Sequence, residues 1–122
     1  MKILVIDDNL DITDAIGIVL KEMQVDYKAV NDGRAGLQEI RNGKFDLIIL
    51  DNAIPEFSGF DILKDLKRNG LVDSLNIVIS TASSVSDSEK QAMMSLGAKD
   101  LLPKPFRVKE LKALIQRFAP SP

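Results

Sequence analysis

The chain has 122 residues, 45% of them apolar and 28% charged, which suits one domain whose core needs no disulfide or metal staple. Its net charge of −2, with lysines and arginines scattered apart from a modest cluster between Lys104 and Lys112, leaves no broad basic field for nucleic acid. Cysteine and histidine are both absent, which excludes thiolate and imidazole metal sites, a cysteine nucleophile and a Ser-His-Asp apparatus.

Any chemistry must therefore come from carboxylates, hydroxyls, lysines and a metal ion. No stretch approaches the ~20 apolar residues that span a bilayer. The N-terminus passes from one lysine into a short apolar run and then two aspartates, unlike a signal peptide. A cytoplasmic location without a membrane partner is the default expectation.

Residues 2–6, one lysine and then the largely β-branched apolar run Ile3-Leu4-Val5-Ile6, predict a short buried strand. Ile12, Ala15, Ile16, Val19, Leu20 and Met23 then recur at spacings of three and four, one apolar face of a helix. Tyr27 to Val30 is a weaker strand, followed by the turn signal Asn31-Asp32-Gly33. Ala35, Leu37 and Ile40 predict a short helix ending near Asn42-Gly43.

Residues 46–50 make the clearest strand. Pro55 and Gly59 punctuate the loop after it, and Phe60, Leu63 and Leu66 give a third helix stopping around Asn69-Gly70. Residues 76–80 form a fourth strand, and Ser86 to Leu96 a fourth helix with Gly97 at its end. Lys99 to Leu102 is a short fifth strand, and Val108, Leu111, Leu114, Ile115 and Phe118 mark the last helix. The organisation is then a single domain over 1–118, with residues 119–122 as a tail or linker stub.

Strict alternation of five strands and five helices predicts an α/β fold: a doubly wound, five-stranded parallel sheet. The flavodoxin-like order 2-1-3-4-5 places the topological switch point between the first and third strands. The first strand ends on Asp7-Asp8, the third on Asp51, the fourth on Thr81, and the fifth leads through Pro103 to Lys104. Ligands bind such sheets at this carboxyl edge.

Each residue also has a plainer reading. One of Asp7, Asp8 or Asn9 can cap the first helix, but capping needs only one residue, and two adjacent acids repel. Asp51 alone could be a turn aspartate. Three carboxylates at one edge call for a counter-charge, either a hard cation with oxygen ligands or a lysine. Thr81 lies among serines in a loop that could be merely polar. Lys104, between Pro103 and Pro105, is placed to return over the strand ends if an X-Pro bond there is cis.

The parts suit phosphoryl transfer. Mg²⁺ would be held by Asp8 and Asp51, with Asp7 acting through water. An aspartate would serve as nucleophile, and Lys104 and Thr81 would receive the phosphoryl oxygens.

These residues resemble the receiver domain of two-component response regulators (the CheY-like family) across essentially the whole chain. The match rests on Asp7-Asp8, Asp51, Pro55, Gly59, Thr81-Ala82 and the run from Gly97 through Lys104-Pro105-Phe106. The resemblance implies that Asp51 accepts a phosphoryl group from a phosphohistidine on a sensor histidine kinase or a histidine phosphotransfer protein. It implies a Mg²⁺ site of Asp7, Asp8, Asp51 and the Ala53 backbone carbonyl. The chain would catalyse its own aspartyl phosphorylation and dephosphorylation without being an enzyme in the usual sense.

Phosphorylation would bias a partner-binding face through Thr81 and the fourth helix, fifth strand and fifth helix, including Met93 and Met94. A downstream effector protein or domain would read that face, with no direct nucleic-acid contact by this domain. Leu101 departs from the family, which usually has tyrosine or phenylalanine there, so the switch is expected to rely on Thr81 and its loop. Ala53 and Ser83 are both small, which predicts an acyl phosphate open to water. The rival readings are a phosphorylation-independent binding module and a Mg²⁺-dependent aspartyl-nucleophile phosphohydrolase. The hydrolase pattern wants a second acid where this chain has Asn9.

Overall fold

The computed structural model describes residues 1–120. Five strands and five helices alternate: β1 (Lys2–Ile6), α1 (Leu10–Glu22), β2 (Asp26–Val30), α2 (Gly33–Asn42), β3 (Leu47–Asp51), α3 (Gly59–Arg68), β4 (Ile77–Thr81), α4 (Asp87–Ser95), β5 (Asp100–Pro103) and α5 (Val108–Phe118). All strands pair in parallel in the order β2-β1-β3-β4-β5. The predicted architecture and strand order are those found.

Side chains alternate across the sheet and split the core in two. Leu4, Ile6, Ile48, Leu50, Ile77 and Ile79 face α2, α3 and α4. Ile3, Val5, Leu47, Ile49, Val78 and Leu102 face α1 and α5. β1, β3 and β4 are buried on both faces and read as unbroken apolar runs for that reason. β2 is an edge strand, largely exposed, which explains its weaker pattern.

Helix starts follow their caps. The Asn9 side chain accepts from the N–H groups of Asp11 and Ile12, so Asn9 caps α1 and leaves both neighbouring aspartates for other work. Asp32 accepts from the Ala35 N–H and starts α2 at Gly33, inside what the sequence offers as a turn. Ser58 with Asp61, and Ser86 with Glu89, form capping boxes on α3 and α4. Gly97 ends the α4 region at φ +113°, where a side chain would be strained.

The strand boundaries at β3, β4 and β5 fall one residue later than the sequence suggests, because the ladder continues through Asp51, Thr81 and Pro103. A 3₁₀ turn at Val72–Ser74 has no periodic signal, being a single turn anchored by buried Val72. Met93 lies fully in the core while Met94 is exposed, so only the second methionine belongs to the surface of α4. Residues 121 and 122 of the expected tail lie outside the described residues.

Candidate functional site

The carboxyl edge of the sheet gathers Asp7, Asp51 and Lys104. Asp7 continues the β1 ladder through its N–H to the Val30 carbonyl at 3.1 Å. Its Oδ1 accepts from the Asn9 N–H at 2.9 Å, and its Oδ2 from Lys104 Nζ at 2.9 Å. Asp51, the last residue of β3, accepts at Oδ1 from the Ala53 N–H at 3.1 Å, with Lys104 Nζ 3.3 Å away. One ammonium thus serves two carboxylates, both buried.

Asp8 is exposed beside them, and Asp7, Asp8 and Asp51 each present an oxygen within 4.8 Å of the others. An all-oxygen donor set of this size, with one member open to solvent, fits a hard divalent cation such as Mg²⁺.

Lys104 arrives from β5. Its N–H donates to the Thr81 carbonyl at 2.7 Å, and the Lys104–Pro105 peptide is cis. Burial by itself would lower the lysine pKa; the hydrogen bond to Asp7 and the charges of Asp51 and Asp7 outweigh it, holding the pKa above 10.5. The lysine is charged throughout the physiological range.

Two residues named in the sequence only as turn or loop positions support the site. Asn31 Nδ2 donates to the Asp7 backbone carbonyl at 2.7 Å and reaches Thr13 Oγ1 at 3.3 Å, tying the loop after β1 to the end of β2. Asn31 read only as a turn residue because its partner is 24 positions away. Gly59 brings α3 against the carboxyl edge of the sheet: a Cβ there would stand 2.5 Å from the Asp51 carbonyl oxygen and 3.0 Å from Asn52 Cα. Only glycine permits that approach without a backbone shift.

Thr81 is fully buried, and its hydroxyl makes no protein hydrogen bond. By strand alternation it leaves β4 on the face of Ile77 and Ile79, opposite to the face of Asp51. Leu101 is half-buried and packs against the cluster on the same face as Thr81. Ser80, which the sequence offered only as one of the serines around Thr81, has the second buried hydroxyl without a protein partner. Ala53 and Ser83 are exposed at the mouth.

Beside Lys104, a groove of about 520 Å³ runs between α1 and the start of α5. Ile12, Ala15, Ile16, Phe106, Val108 and Leu111 make it largely apolar. No helix among the described residues is long and apolar enough to cross a membrane.

The sequence profile of the response regulator receiver domain matches residues 3–116. The chain is 39% identical over 116 residues to the transcriptional regulatory protein CiaR of Streptococcus pneumoniae, covering 95% of this chain and 50% of that protein. It is 31% identical over 122 residues to the CpxR homolog of Haemophilus influenzae, covering 97% and 52% respectively. The chain spans about half the length of these curated relatives.

Among solved structures, the signal receiver domain of a putative LuxO repressor protein from Vibrio parahaemolyticus aligns with a TM-score of 0.87 at 28% identity, over 96% of this chain and 88% of that one. Chemotaxis protein CheY4 of Vibrio cholerae aligns with a TM-score of 0.85 at 27% identity, over 97% and 98%. A family match over almost the whole chain, on a sheet of this order with acids and a lysine at its carboxyl edge, means that the chain belongs to the response regulator receiver domain family.

Proposed function

We propose that Asp51 is a phosphoacceptor, taking a phosphoryl group from a phosphohistidine on a sensor histidine kinase or a histidine phosphotransfer protein. The observation that carries this reading is the setting of the Asp51 carboxylate. It is buried at a strand end, oriented by one backbone N–H and one ammonium, and lies within 4.8 Å of oxygens from two further acids. An Asp51 oxygen forms the new bond to phosphorus, and the donor's phosphorus–nitrogen bond breaks with its electron pair returning to the imidazole. This chain has no histidine, so the imidazole belongs to another molecule. The apolar groove beside Lys104 gives such a donor protein a footing within reach of Asp51.

Asp7, Asp8 and Asp51, with the Ala53 carbonyl, would hold Mg²⁺, which when bound contributes positive charge to the phosphoryl oxygens. Lys104 follows the negative charge from the carboxylate to the phosphoryl group and stabilises it there. The chain is no enzyme in the usual sense, because it acts on itself: it promotes its own phosphorylation and dephosphorylation.

The output is a change of surface. The buried Thr81 hydroxyl gains a partner by turning toward a phosphoryl oxygen, and this biases two conformations of the loop after β4. α4 is the element best able to respond, since within it Met93 alone is buried. Leu101 provides neither a ring nor a hydroxyl, so the response runs through Thr81 and its loop. An effector protein or domain reads the α4, β5 and α5 face. The receiver spans residues 1–118.

The test is incubation with Mg²⁺ and acetyl phosphate, read by intact mass. One base-labile phosphoryl group is expected, and none in Asp51→Ala. No adduct from any small donor, together with no Mg²⁺ binding, would favour the phosphorylation-independent module. Multiple turnover on phosphate esters would favour the hydrolase.

A further inference from the structure

Ser80 is 2% exposed, and its hydroxyl has no protein hydrogen-bond partner. An orphaned buried hydroxyl is less stable than an apolar group of the same shape, so β4 carries a polar atom that does nothing for the fold in this state.

Its position is specific. Ser80 is the register partner of Asp51 on β3 and of Leu102 on β5. Val78, two residues earlier, faces the α1 and α5 side, as does Ile49, two residues before Asp51. Ser80 and Asp51 therefore leave neighbouring strands on the same face. β4 lies between β5 and β3, so the Lys104 side chain must cross the end of β4 to reach Asp51. Ser80 is thus the β4 residue paired with Asp51 at the strand end that the lysine crosses.

We propose that Ser80 Oγ donates a hydrogen bond to the Asp51 carboxyl group in its phosphorylated state and accelerates loss of the phosphoryl group. The inference rests on Asp51 being the phosphoacceptor. In the present state Asp51 Oδ1 is served by Ala53 N–H and Lys104, and Ser80 is not engaged. Once the negative charge moves outward to the phosphoryl group, Lys104 follows it. The acyl oxygen left behind keeps only the Ala53 N–H, and a hydroxyl rotor on the neighbouring strand turns to add a second donor.

In hydrolysis, water attacks phosphorus and the phosphorus–oxygen bond to Asp51 breaks with its electron pair passing to the carboxylate. The water's proton goes to solvent and inorganic phosphate departs. A donor binds the developing carboxylate more tightly than the neutral acyl oxygen, so it lowers this barrier.

The experiment compares wild type, Ser80→Ala and Ser80→Cys. Each is phosphorylated with acetyl phosphate and Mg²⁺, freed of donor, and followed by intact mass. Removing one hydrogen bond of this kind should lengthen the phosphoryl lifetime about threefold to tenfold in Ser80→Ala. Ser80→Cys, a weaker donor of similar shape, should fall between the two. Denaturant midpoints should be unchanged or higher in Ser80→Ala, which separates a lost donor from a damaged fold. Equal lifetimes in wild type and Ser80→Ala, with both labelled at Asp51, would overturn this inference alone. Absence of the label in wild type would overturn the phosphoacceptor reading and the inference with it.

Discussion

The Lys104 ammonium lies 2.9 Å from the Asp7 carboxylate although 97 positions separate the two residues. The contact closes the sheet edge, since Lys104 follows β5 and Asp7 follows β1, with β3 and β4 between them. The same ammonium is 3.3 Å from Asp51, so one cation balances two buried acids. A metal ion entering among the acids would take over part of that balance and free the lysine.

Replacing Lys104 by methionine should therefore destabilise the metal-free protein by about 3–5 kcal/mol, because Asp7 and Asp51 lose their counter-charge. Mg²⁺ should restore much of the loss. Urea midpoints of both proteins, measured with and without Mg²⁺, check this; a variant as stable as wild type without metal would refute the counter-ion role.

The raised pKa of Lys104 gives the contact a pH signature. A lysine whose folded pKa exceeds its ordinary 10.5 holds its proton longer in the native state. Its stabilising contribution is fully present below 10.5 and falls as pH rises above that value. The stability gap between wild type and Lys104→Met should stay constant from pH 7 to 9 and narrow above 10.5. Equilibrium unfolding across that range measures it.

Asn31→Ala removes the hydrogen bond to the Asp7 carbonyl and should cost about 1 kcal/mol of stability. The loosened loop should also weaken Mg²⁺ binding, because Asp7 and Asp8 share that backbone. Thermal melts and a Mg²⁺ titration followed by calorimetry report the two effects separately.

Gly59→Ala puts a methyl group 2.5 Å from the Asp51 carbonyl oxygen. Relieving the clash must move α3 or the end of β3, at about 1–3 kcal/mol. Labelling by acetyl phosphate should slow as Asp51 shifts, whereas a Gly70→Ala control has open space around its Cβ and tests only its positive φ.

Ala53→Arg enlarges an exposed side chain at the mouth of the site and should shield the acyl phosphate from water. A longer phosphoryl lifetime by intact mass is expected. An unchanged lifetime would remove small side-chain size as the cause of fast hydrolysis.

Much of the site was legible because each strand is a short local run with a polar residue at its end. Ile3 to Ile6 and Leu47 to Leu50 announce buried parallel strands, and the acids after them mark the edge without any knowledge of partners. Less legible were residues whose meaning depends on a distant partner. Asn31 looked like a turn residue, and Ser80 like one of several serines around Thr81. Met93 and Met94 are neighbours in sequence, yet one is in the core and the other on the surface, because α4 has only a shallow apolar stripe.

The sequence by itself determined the alternation of strands and helices, the parallel sheet in the order 2-1-3-4-5, and the set of acids, hydroxyl and lysine at one edge. Those follow from short unbroken apolar runs and a 3.6-residue helical period, both local, and from the handedness of crossovers. The tertiary structure alone decided which groups touch. It set Lys104 between Asp7 and Asp51, turned Thr81 to the opposite face, and left Ser80 beside Asp51 without a partner. Register and the packing of the helices fix those contacts, and neither is written in any single stretch of chain.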